Sequence, residues 1–103
     1  MGNIDAYELS RLYVEVIADL AEEQGLNHSQ LAKIAFGDSQ SSIVRWRKIR
    51  SSSGASKPQS LTVEDSILLA DALGMDFSSL AFRVSETYKM RAKMNKQGNR
   101  QSA

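Results

Sequence analysis

The sequence has no cysteine and a single histidine, His28. The first absence excludes a disulfide framework and a thiolate metal site, and it fits a reducing cytoplasm. The second excludes a metal centre built from several histidines. No apolar run approaches the roughly 20 residues that a membrane-spanning helix requires. The N-terminus lacks the basic and apolar arrangement of a signal peptide. Met1-Gly2 begins a lipidation pattern, but Ala6 stands where Ser or Thr is wanted. There is no glycine-rich phosphate loop, and His28 sits in no recognised catalytic motif. The expectation is a cytoplasmic protein that is not an enzyme, with no catalytic residues, no cofactor, no metal and no membrane attachment.

What is present is 103 residues with 42% hydrophobic content, enough for one small core that would gain from dimerisation. The formal charge of +1 conceals a strong segregation. The first part is acidic, with Asp5, Glu8, Glu15, Asp19, Glu22 and Glu23 against Arg11. From Lys33 to Lys57 the balance reverses, and Lys33, Arg45, Arg47, Lys48, Arg50 and Lys57 face only Asp38. Glu64, Asp65 and Asp71 restore acidity, and the tail carries Lys89, Arg91, Lys93, Lys96 and Arg100. A cationic band on an acidic body is the footprint expected of a phosphate-binding face.

Leu9, Leu12, Tyr13, Val16, Ile17 and Leu20 recur at helical spacing, which predicts an amphipathic helix from about Asp5 to Gln24, ended by Gly25. Leu26 is expected to turn back into the core, and Tyr7 and Tyr13 to serve core or interface. Asn27 or Ser29 can cap a second helix running to Phe36, with Leu31, Ala32, Ile34 and Ala35 as its apolar face. Gly37 permits a turn, and Ser39 offers a hydroxyl to cap a third helix from Gln40 to about Ile49. That helix should direct Ser42, Ile43, Trp46 and Ile49 inward, and Gln40, Ser41, Val44, Arg45 and Lys48 outward. Ser51 to Ser60 has a linker's composition. Thr62 and Asp65 suggest a capping box for a fourth helix, with Val63, Ile67, Leu69, Ala70 and Leu73 as its core side and Gly74 as its stop. Asp76 or Ser78 can begin a fifth, with Phe77, Leu80, Ala81, Val84 and Tyr88 as a buried stripe. Phe82 falls off that stripe and reads as a dimer contact. The division expected is a domain over 1–88 and a basic extension over 89–103, partly disordered from about Asn95.

Residues 37–46, Gly-Asp-Ser-Gln-Ser-Ser-Ile-Val-Arg-Trp, resemble the turn and recognition helix of the phage repressor and Cro family. Leu61-Thr62-Val63-Glu64-Asp65 and Leu69-Ala70-Asp71-Ala72-Leu73-Gly74-Met75 are similar to that family's fourth helix and following turn. The resemblance covers roughly residues 8 to 84. One residue more than the family usually has lies between Ala32 and Gly37, with Phe36 the extra. The stretch from Ser51 to Ser60 replaces a short turn.

The resemblance implies an all-α fold, a compact five-helix bundle of the lambda-repressor-like type with a helix-turn-helix. It also implies a sequence-specific transcriptional regulator that binds double-stranded DNA as a homodimer on a two-fold operator. In the family the N-terminus of the third helix is directed at base edges, which points to Gln40 and Ser41. Gln40 can pair with adenine, Arg45 with guanine, and Val44 can meet a thymine methyl. Arg47, Lys48 and Arg50 suit phosphates. His28, Ser29 and Gln30 are candidate backbone contacts because the family places the start of this helix near the DNA backbone. Lys57 could reach the backbone from the linker. The alternative is a protein-interaction module, such as the antitoxin of a toxin pair, with a protein partner.

Overall fold

The computed structural model describes residues 6–51 and 61–101. Five helices and no strand are found among them: α1 Ala6–Glu23, α2 His28–Phe36, α3 Gln40–Arg50, α4 Val63–Ala72 and α5 Phe77–Gln101. The all-helical expectation is met, with boundaries close to those read from periodicity. None of these helices is long and apolar enough to cross a membrane.

Both α1 and α4 end in the same way. Leu26 N–H reaches Ala21 O and Gly25 N–H reaches Glu22 O, while Met75 N–H reaches Ala70 O and Gly74 N–H reaches Asp71 O. These are two Schellman closures, each with a left-handed glycine. The Gln24 side chain then donates to Leu73 O at 2.9 Å and ties one closure to the other.

The core gathers Leu12, Val16, Ile17, Leu20 and Ala21 from α1, Leu31 and Ala32 from α2, and Trp46 and Ile49 from α3. Leu69 and Ala70 from α4, Leu73 just beyond it, and Leu80 and Val84 from α5 complete it. Val14 is buried as well, off the expected stripe. It borders a depression shared with Arg11, Ala18, His28 and Arg50. Leu26 is partly buried against the core, as expected. The Tyr13 ring lies nearly parallel to that of Phe77, 6.4 Å between centroids.

Three apolar positions depart from expectation. Ile34 of α2 is exposed, and so are Val63 and Ile67 of α4. The buried face of α4 is instead Asp65, Ser66, Leu69 and Ala70. This rotation is possible because the two polar residues are satisfied where they lie. Thr62 and Asp65 form the expected capping box, Ser66 Oγ donates to Thr62 O at 3.1 Å, and Asp65 receives Arg45. With their hydrogen bonds made, polar side chains can take the interior face.

Asp76 Oδ1 accepts from Ser79 N–H at 3.0 Å and caps α5. Leu80 and Val84 are fully buried, and Phe82 is 68% exposed. The α5 backbone is helical through Gln101. Arg91 helps hold this helix by pairing with Glu15 of α1, Nη2 to Oε1 at 2.5 Å. The pair raises the arginine's pKa and lowers that of the carboxylate.

Candidate nucleic-acid interface

The start of α2 is fixed by a reciprocal cap. Asn27 Oδ1 accepts from Gln30 N–H at 2.8 Å, and Gln30 Oε1 accepts from Asn27 N–H at 2.9 Å. Gln30 therefore has its amide oxygen engaged and its amide nitrogen free to donate. Ser29 is exposed beside it. His28 Nδ1 accepts from Trp46 Nε1–H at 3.1 Å. Because indole can only donate, the ring hydrogen of neutral His28 sits on Nε2, the atom left for a ligand. Loss of hydration lowers the pKa of His28, and the Arg50 charge adds to the effect against the weaker pull of Glu22.

Helix α2 ends at Gly37, whose φ of 120° and ψ of 156° lie outside what an L side chain readily adopts. A Cβ there would meet Ser42 Oγ only at 3.8 Å, so backbone conformation rather than space calls for glycine. Ser42 Oγ donates to Gly37 O at 2.6 Å and Ser39 N–H donates to the same oxygen at 2.9 Å. Residues 37–39 thus separate α2 from α3. Ser39 does not cap α3 with its side chain, contrary to expectation. Its hydroxyl lies 2.8 Å from that of Ser41, and its backbone oxygen accepts from Ser42 N–H.

Ser42, Trp46 and Ile49 bury one side of α3. Gln40, Ser41, Arg45, Arg47 and Lys48 are exposed, and Val44 is half-buried rather than fully outward. Arg45 is not a free cation. Its Nη2 pairs with Asp65 Oδ1, and its guanidinium lies 5.0 Å from the Phe36 ring centroid. Arg50 is drawn inward, its guanidinium 5.8 Å from the Trp46 ring centroid and its Nε without a hydrogen-bond partner. Burial lowers its pKa, and the neighbouring Arg47 adds to that. Lys33 and Asp38 approach to 3.8 Å across the turn. Lys57 lies outside the described residues.

Three participants were not recognised in the sequence. Arg11, the one cation of the acidic first helix, donates from Nη1 to Ile49 O at 2.6 Å and from Nη2 to Arg50 O at 2.8 Å. It thereby satisfies the carbonyl end of α3 and complements the helix dipole. Its isolation among carboxylates was the available signal. Asp65 read as a cap alone, and Phe36 as an insertion rather than a platform for Arg45.

The resulting surface presents an amide, a hydroxyl and cations on one helix. Such groups can donate to base edges and phosphates. No known family model, curated protein or solved structure matches this chain.

Proposed function

We propose that this chain is a sequence-specific DNA-binding transcriptional regulator that docks α3 in the major groove as a homodimer on a two-fold operator. The observation that carries the reading is the division of α3. Trp46 and Ile49 are fully buried, while Gln40, Ser41, Arg47 and Lys48 stand exposed on a helix that follows α2 through a short glycine turn. The resemblance of residues 37–46 to the phage repressor and Cro family, which implies a lambda-repressor-like helix-turn-helix, supports the same assignment.

Gln40, Ser41 and Arg45 would meet base edges, with Val44 contributing the part of its side chain that remains accessible. Arg47 and Lys48 would meet phosphates, together with His28 through Nε2–H, Ser29, Gln30 and Arg50. Lys57 belongs to the proposal through its charge. Cytoplasmic residence follows from the role. A specific observation favours association through α5, where Phe82, Met90 and Met94 are all exposed. A second copy is the occupant expected of a protein that reads paired half-sites. The same apolar positions sustain a second reading, in which an unlike protein docks there, as a toxin does on its antitoxin.

Selection of bound sites from random double-stranded DNA tests the first reading. It should enrich a two-fold symmetric sequence, and failure to enrich any sequence would overturn it. Sedimentation at micromolar concentration, with and without that DNA, should give a dimer. Stable co-purification with one unlike protein instead would favour the second reading.

A further inference from the structure

We propose that Asp65 and Phe36 aim the Arg45 guanidinium at a guanine, which makes the α4 carboxylate a positioning residue for base readout. The inference rests on the DNA-binding reading above. Arg45 belongs to the exposed side of α3, with 45% of its side chain accessible, whereas the Asp65 side chain has no accessible surface. A carboxylate in that position requires a partner. Its Oδ2 faces Thr62 N–H at a long 3.4 Å, so Arg45 supplies the opposing charge.

The guanidinium is therefore constrained in two directions. Asp65 holds it through Nη2, and its central carbon lies over the Phe36 ring, 5.0 Å from the centroid. Nη2 carries two hydrogens, so one remains when Asp65 takes the other, and both hydrogens of Nη1 remain as well. Two such parallel donors match O6 and N7 of guanine. An unrestrained arginine loses rotamer freedom when it docks, and this one has lost much of it beforehand. Arg47 and Lys48 have no comparable partner among the described residues. They suit contacts that tolerate movement, such as those to phosphates. Phe36, the residue additional to the family pattern, is what supplies that ring.

The experiment begins with sites selected by the full chain from random double-stranded DNA. If no site is enriched, the DNA-binding reading falls and this inference with it. On an enriched site, Arg45→Ala identifies the base pair whose preference it flattens. Asp65→Asn keeps a side-chain oxygen for the cap and removes the charge. It should lower preference at that same base pair by roughly three- to tenfold, a fraction of what a whole bidentate contact discriminates. Preference at other positions and the salt dependence of binding should not change.

Phe36→Leu leaves the α4 cap untouched and should lower the same preference by roughly two- to fivefold. It decides the matter alone if Asp65→Asn does not fold, as judged by thermal melting. An unchanged profile in the folded variants, while Arg45→Ala flattens one position, overturns the inference and leaves DNA binding intact. So does a uniform loss at every position, which marks a structural role only. Tighter binding by Asp65→Asn would also overturn it, because the carboxylate would then be withholding Arg45 from DNA.

Discussion

Replacing Arg11 by Met tests how α3 is held to the rest of the bundle. Methionine keeps an unbranched stem and a similar helix propensity, so the change is confined to the guanidinium. Two charge-assisted hydrogen bonds to Ile49 O and Arg50 O are removed. Such bonds contribute about 1.5–3 kcal/mol each when they are well sheltered. These carbonyls lie at a helix end, where water can replace part of the loss, so about 1 kcal/mol each is the appropriate figure. Loss of a cation from the negative end of the α3 dipole adds about 0.3–1 kcal/mol. The total is about 2–3 kcal/mol, which for a domain of this size lowers the melting temperature by about 10–20 °C. Thermal denaturation followed by circular dichroism provides the measurement. Arg91→Met is the control, because its pair with Glu15 is about half exposed on both sides and should contribute less than about 1 kcal/mol. A loss in Arg11→Met no larger than in Arg91→Met would refute the claim that Arg11 anchors α3.

Trp46→Ala should be more damaging still, at about 3–5 kcal/mol, since it empties a fully buried site under α3; chemical denaturation would show it, and a loss below 1 kcal/mol would contradict the packing. Stability should also decline as pH falls. The folded-state pKa of His28 is depressed, so the unfolded chain binds more protons in the interval. The contribution is therefore complete above the ordinary histidine value of about 6.5, and it is lost as pH falls from there through the depressed folded-state value. Melting curves between pH 7.5 and 5.5 should lose this dependence in His28→Gln, the sole histidine having been removed; an unchanged dependence would place its origin elsewhere. Lys48→Ala should weaken binding to all DNA sequences alike and make the logarithmic salt dependence shallower by about one unit. A change confined to one base pair would reassign Lys48 to readout.

The helices were legible in the sequence because each is bounded by local chemistry. Asn27, Thr62 and Asp76 cap through bonds to residues three positions on, and Gly25, Gly37 and Gly74 permit backbone angles that other residues resist. Such signals lie within a few residues of one another. The inward side of α3 was legible for a similar reason, since Ser42, Trp46 and Ile49 share one helical face. The rotation of α4 was not legible. Hydrophobicity favours Val63 and Ile67 for the interior, and only a partner 20 residues away makes burial of Asp65 acceptable. Arg11 likewise finds its acceptors 38 and 39 residues along the chain. Ser39 had the right residue type for a cap, yet its hydroxyl lies 2.8 Å from that of Ser41 and makes no capping bond. Gln40, Ser41, Arg45 and Lys48 were identified as outward while Val44 is half-buried, and which cations are tethered depended on Phe36, Trp46 and Asp65.

Arg11 and Glu15 stand four positions apart on α1, close to one helical turn. The first holds the C-terminal carbonyls of α3, and the second holds Arg91 on α5. A single residue inserted or deleted between them would rotate one anchor about 100° relative to the other. Either the Arg11 bonds to the end of α3 or the Glu15 pair with Arg91 would then be lost, even if the new residue were an excellent helix former. Substitutions that respect the two charged ends and keep Leu12 and Val14 apolar leave both anchors in place, whereas a change in length moves one of them.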